Sequence, residues 1–88
     1  GLSSPNPFSS STRISFMLAK DEDVSMHVYD LNGMLVRRLL DDCHLPQGEH
    51  EIIWDGRNEH GASVKPGMYI FHCRAGRSTV TRPAIRIL

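Results

Sequence analysis

Val24-Ser25-Met26-His27-Val28-Tyr29-Asp30-Leu31-Asn32-Gly33-Met34 decides how this chain is read. Val24, Met26 and Val28 recur with a period of two, with Ser25 and His27 between them, as in a strand buried on one face. Asn32-Gly33 then supplies the positive φ of a reversal, and Asp30 stands where its carboxylate can accept from the turn amides. The stretch predicts a hairpin whose returning strand covers about Met34 to Leu40. Leu35 and Val36 offer alternative inward phases ahead of Arg37, and a β-bulge would reconcile them. A short helix over 31–40 is the rival reading, but Asn32-Gly33 interrupts its beginning.

The same period extends in both directions. Thr12 to Leu18 places Ile14, Phe16 and Leu18 on one face and Arg13, Ser15 and Met17 on the other, and Lys20-Asp21-Glu22-Asp23 makes a solvated connection. Asp41 to Glu49 contains Pro46 and Gly48 and reads as a loop. His50 to Trp54 reads as a strand with Ile52 and Trp54 on one face, Glu51 and Ile53 on the other, and His50 outward. Asp55 to Lys65 is irregular, with Gly56 and Gly61, and Asp55 is placed to close an Asx-turn onto the amide of Arg57 or Asn58. Pro66-Gly67 matches the central pair of a type II turn. Tyr69, Phe71 and Cys73 form the next inward row, against Ile70, His72 and Arg74. Ala75 to Ser78 turns the chain into a last strand over Thr79 to Leu88, which Pro83 confines to an edge or breaks.

The prediction is all-β: an antiparallel sandwich of six or seven strands over 12–88. A linker over 1–11 precedes it, carrying a Pro5-Asn6-Pro7-Phe8 turn in which Phe8 is the tether. The expected core is Ile14, Phe16, Val28, Ile52, Trp54, Tyr69 and Phe71, with Trp54 at its centre. The expected turn residues are Asn6, Asp30, Gly33, Asp55, Gly56 and Gly67.

At 88 residues the chain has room for one core, and a deep cleft would consume it. Ten Lys and Arg balance ten Asp and Glu without forming blocks, so no basic stripe for a nucleic-acid backbone arises. Arg74, Arg77, Arg82 and Arg86 give the last segment a local positive bias. That bias reads first as an edge strand guarded by outward charge, with a partner-docking strip (Arg82, Arg86, Ile87, Leu88) and a polyanion contact as rival readings. No apolar run is long enough for a membrane span. The start Gly1-Leu2-Ser3, without Met, reads as part of a longer polypeptide or as a processed chain. Cys43 and Cys73 permit one disulfide; the favoured reading is Cys73 as a small apolar strand residue and Cys43 as a free loop thiol.

Asp41-Asp42 and the Asp21/Asp23 pair read as hydrated loop carboxylates, because acid–base work needs two carboxyls across a cleft. Asp55, Asn58 and Glu59 offer oxygens for a weak calcium site but lack the spacing of an EF-hand. His27, His50 and His72 could meet across a sheet, yet zinc needs three or four ligands in tetrahedral array, and surface polar pairs are the expected outcome. Thr12, Ser15, Ser63 and Ser78 have no base or oxyanion hole assigned, and no phosphate-binding glycine motif is present. No enzyme and no cofactor are predicted. Carbohydrate binding is a weaker rival, since Phe8 and Tyr29 alone remain for an aromatic platform.

Pro5-Asn6-Pro7-Phe8, Thr12-Arg13-Ile14-Ser15-Phe16, Val28-Tyr29-Asp30 with Gly33, Gly48, Trp54-Asp55-Gly56, Gly61 and Gly67-Met68-Tyr69 together resemble the immunoglobulin-like family. More narrowly, they resemble flagellar hook-capping-type Ig-like domains and the similar C-terminal sorting domains of the type 9 secretion route. The resemblance covers nearly the whole chain. It implies a seven-stranded Ig-like (fibronectin III-like) sandwich in a larger secreted or surface protein, often a hydrolase. The implied role is a non-catalytic accessory one in secretion, sorting or attachment through protein contacts. A hook-capping assembly domain or a passive spacer is the alternative. The implied partners are domains of the parent protein and a secretion or assembly protein, with no nucleic acid and no membrane insertion. Arg82, followed by Pro83, stands where a lysine is frequent in the family, and the two cysteines are not family features.

Overall fold

The structure, a computed structural model, describes residues 7–8 and 11–86, with the side chains of 11–81. Seven strands follow in chain order: β1 (Pro7–Phe8), β2 (Thr12–Leu18), β3 (Glu22–Tyr29), β4 (Leu35–Leu45), β5 (Gly48–Trp54), β6 (Gly67–Ala75) and β7 (Ser78–Arg86). They form a five-stranded sheet in the order β1-β7-β6-β3-β4 and a two-stranded sheet, β2-β5. Every pairing is antiparallel except the short parallel one between β1 and β7, Pro7 to Ile85 and Phe8 to Arg86. The described residues contain no helix, so 31–40 is a turn and a strand.

Strand periodicity builds the core directly. Ile14, Phe16 and Leu18 of β2, Val24, Met26 and Val28 of β3, Trp54 of β5, and Tyr69, Phe71 and Cys73 of β6 are all buried between the sheets. Trp54 meets Tyr69 and Phe71 edge-on, with ring centroids 5.4 and 5.7 Å away, a favourable arrangement for aromatic quadrupoles. Ile52 is partly buried beside them.

The hairpin after β3 closes with three residues, Leu31-Asn32-Gly33. Gly33 alone takes the left-handed conformation, at φ +81°, as in a type I turn followed by a G1 position. Asp30 Oδ1 accepts from the amides of Asn32 (2.9 Å) and Met34 (3.0 Å).

Where a loop over 41–49 is expected, β4 continues to Leu45 and only Pro46-Gln47 separates it from β5. Asp41 to His44 lack apolar alternation because this half of β4 pairs with Glu22 to Val24 at the charged start of β3, where little needs burying. Cys43 is therefore a strand residue and not a loop thiol. Both cysteines are free. Cys43 lies opposite Val24 on one side of β3 and Cys73 opposite Met26 on the other, two strands apart. Two strand spacings near 4.8 Å across the sheet and a two-residue offset of about 6.6 Å along β3 put their Cα atoms about 11–12 Å apart, too far for a disulfide.

The bulge anticipated near Leu35 and Val36 is one of three. Six residues of β3, Val24 to Tyr29, face nine of β4, Cys43 to Leu35, through three register shifts. The extra residues let Val36, Leu39 and Leu40 all pack toward the core, which a strict period of two forbids. At the shift after Val24, Asp42 takes φ +54° and its amide donates to the Ser25 hydroxyl at 2.9 Å.

Gly67 differs from its expected type II role. Pro66 makes a bend, and Gly67 opens β6 at φ +154°, already paired with Arg86, because the chain must straighten there to enter the sheet. Tyr69 then donates from its hydroxyl to the Lys65 carbonyl at 2.5 Å, four residues back, the contact that pins a tyrosine corner in Ig-like sandwiches.

Candidate interaction surface

Residue parity in β3 and β6 sends a second set of side chains to the outer face of the five-stranded sheet. Because register is fixed by the ladders, these side chains line up in rows across the strands. One row runs Leu35, Tyr29, Ile70 from β4 through β3 to β6, with Pro83 at the paired position of β7. The next runs Arg38, His27, His72, Thr81. The face is apolar toward the β3–β4 turn and polar away from it. Around the apolar row, Leu31 (66% exposed), Met34 (65%), Met68 (43%) and Leu35 (37%) present large side chains to solvent. Four such groups gathered at one end of a small domain mark a contact surface more than a scatter of ordinary surface apolars.

The polar half contains a shallow pocket lined by Ser25, His27, Asp41, Asp42, His72 and Arg74. Its charges are mostly used internally. Arg74 pairs with Asp42 at 3.3 Å, and His27 Nε2, sealed from solvent, lies 3.5 Å from Asp41 Oδ1 without a hydrogen-bonding geometry. His27 and His72 face each other across β3 and β6. His50 does not join them. It sits in the other sheet opposite Phe16, stacked on that ring with centroids 5.5 Å apart and bonded through Nε2 to the Pro46 carbonyl at 2.7 Å. Its parity with Ile52 and Trp54 places it on the inner row and corrects the outward reading. Among the described residues no cluster of three or more His, Cys, Asp or Glu is arranged for a metal.

The loop after β5 is an internal tie. Asp55 Oδ1 accepts from the Arg57 amide at 3.0 Å, closing the expected Asx-turn, and from Arg37 at 3.2 Å. Asn58 Oδ1 accepts from His60 and Ala62, and Glu59 Oε1 from the Arg38 amide at 2.6 Å. The oxygens considered for calcium are thus engaged by backbone amides and a guanidinium. The Glu59 amide also donates to the Val36 carbonyl at 3.0 Å, so this residue clasps the outer edge of β4. Neither this clasp nor the Tyr69 corner was found in the sequence. A tyrosine four residues after Lys65, just past Pro66-Gly67, was the available signal for the corner; a carboxylate closing on a strand 21 residues away left no local trace.

Among the described residues two titratable groups are shifted. His44 is raised above the ordinary histidine value, first by its 2.8 Å hydrogen bond with Asp23 and then by that residue's charge. Burial raises the Cys73 thiol, which keeps it protonated and inert.

The remaining expected site residues are placed as follows. Gly56 is buried behind the loop at φ +72°. Arg82 and Arg86 lie in β7 with backbones paired to Phe71 and Gly67; their side chains, together with Ile87, Leu88, Asn6 and the side chain of Phe8, fall outside the described residues. The short β1 covers only Ile85 and Arg86 of β7, so along residues 78–84 no described strand lies beyond β7, and Pro83 falls in that edge stretch as expected.

A family model for the FlgD Ig-like domain matches residues 4–78, most of the chain. The chain belongs to the FlgD Ig-like domain family. FlgD from P. aeruginosa shares the fold with a TM-score of 0.65 and 25% sequence identity, over 83% of this chain and 60% of that one. This FlgD Ig-like domain therefore spans about three-fifths of the length of the solved FlgD chain. No curated protein matches it.

Proposed function

We propose that this chain is a non-catalytic hook-capping-type assembly module that works through protein–protein contacts within a longer protein. The observation that carries the reading is the apolar end of the outer sheet face, Leu35 and Met68 beside Tyr29 and Ile70, with Leu31 and Met34 exposed in the adjoining β3–β4 turn, on a domain of the FlgD Ig-like family. A sandwich that only fills space between neighbours gains nothing from exposing so many large apolar side chains at one end, whereas a module that docks buries them on assembly. The parent protein would act outside the cytoplasm, on a secreted or cell-surface structure, with assembly proteins as partners. A sorting role would place recognition on residues 82–88. Truncating them removes the second half of β7, Arg82 to Arg86, from its ladder with β6, so point substitutions of side chains are the cleaner probe of that role.

The test is to place Met34→Asp and Leu35→Asp in the longer protein and measure its incorporation into the assembled structure, with the fold checked by circular dichroism. The expected outcome is a folded protein that fails to incorporate. Normal incorporation of the folded double variant would overturn the reading.

A further inference from the structure

The two edges of this sandwich on the β4–β5 side are treated differently. The outer edge of β4 is closed at Val36 and Arg38 by Glu59. β5 lies on the same side, joined to β4 at one end by Pro46-Gln47 and at the other by the Arg37–Asp55 pair. It pairs with β2 on one edge, and no described strand lies on its other edge. An unpaired strand edge is a row of free amides and carbonyls, which an extended peptide can extend by one strand.

We propose that the free edge of β5, residues 49–53, accepts an extended partner segment that alternates basic and apolar residues. This rests on the assembly reading above and names the partner's chemistry. The outward row of β5 is Glu49, Glu51 and Ile53, all exposed, so an added strand would set its outward side chains beside two carboxylates. Glu51 already meets Arg13 of β2 at 3.4 Å, which shows that a cross-strand cation fits this row. The inward side chains of the added strand would lie toward the partly buried Ile52, Leu45 and Leu40 at the open margin of the core. Cross-strand pairs of opposite charge are favourable and like charges directly opposite are unfavourable, so the row selects lysine or arginine and rejects glutamate.

The same row disfavours a second copy of this chain. Antiparallel self-pairing centred on Glu51 sets Glu51 against Glu51 and Glu49 against Ile53, a shift by one pair in one direction sets Glu49 against Glu51, and the opposite shift sets Glu51 against Ile53. Two of these three registers juxtapose carboxylates, and the third pairs each Glu51 with an isoleucine instead of a cation.

The test uses the 88-residue chain, isotopically labelled, titrated with a short synthetic peptide alternating lysine and valine. The β5 amides are followed by NMR. The expected result is shifts and slowed exchange confined to β5 and its β2 neighbours. Binding should weaken about tenfold for a glutamate–valine peptide, the size of two cross-strand pairs reversed in sign, and vanish for a lysine–valine peptide carrying alternate N-methylated amides. Glu49→Lys with Glu51→Lys should invert the peptide preference without changing the fold. Equal binding of both peptides, binding that survives N-methylation, or no response at β5 would overturn the proposal and leave the carboxylates as edge protection only. Failure here with loss of incorporation in the Met34→Asp, Leu35→Asp protein would sink the edge site and leave the assembly reading standing.

Discussion

The indole of Trp54 is fully buried, and its Nε1 donates to the Arg57 carbonyl at 3.0 Å, so it packs the centre and anchors the following loop. Trp54→Ala should cost about 3–5 kcal/mol, a large part of the stability of a domain this size. Tyr69→Phe keeps the ring against Trp54 and removes only the bond to the Lys65 carbonyl, so about 0.5–1.5 kcal/mol is expected. Urea denaturation with unchanged slope measures both. His44 gives a prediction of a different kind. Its raised folded-state value means that the His44–Asp23 pair favours the fold fully below the ordinary histidine value of about 6.5 and loses that contribution as pH rises through the folded value. An NMR titration should find the His44 midpoint above the ordinary value, and Asp23→Asn should bring it down; an unmoved midpoint would remove Asp23 as the cause.

At the scale of elements, the clasp on β4 is the contact to break. Glu59→Ala removes the carboxylate that accepts from the Arg38 amide and leaves the Glu59 backbone bond to Val36 in place. Amide exchange at Arg38 should then quicken by about tenfold, with a stability loss of about 1 kcal/mol, while Glu59→Gln, which keeps an acceptor oxygen, should lose less. Exchange at Arg38 that does not change would show that the edge is closed by the backbone alone. β4 is also the element least legible in the sequence. Strands β2, β3 and β6 show their inward rows because each buries one face against a core of constant depth. β4 carries three extra residues, which scramble its period, and its polar half at Asp41 to His44 buries little, so it reads as a loop.

For the whole molecule, the sandwich was legible because turns at Asn32-Gly33 and Gly76-Arg77 and the inward rows agree on one partition of the chain. The candidate surface was not. The row Leu35, Tyr29, Ile70 exists only once the register between three strands is fixed, and the β3–β4 register passes through shifts that no local pattern sets. The division into five strands and two has a consequence for cooperativity. β3 and β6 are each paired on both sides, whereas β2 and β5 share a single ladder and hold to the rest through side-chain packing around Trp54 and the Arg37–Asp55 pair. Native-state hydrogen exchange should therefore find amides such as Met26 and Phe71 opening only with global unfolding. Amides of the β2–β5 ladder, such as Ile14 and Ile52, should open at lower free energy, because no ladder bond ties that pair to the larger sheet and the bonds to Val36 and Arg37 reach only the loop after β5. If both groups exchange at the same free energy and the same denaturant dependence, the buried side chains alone bind the two sheets into one cooperative unit, and Trp54→Ala should then split them.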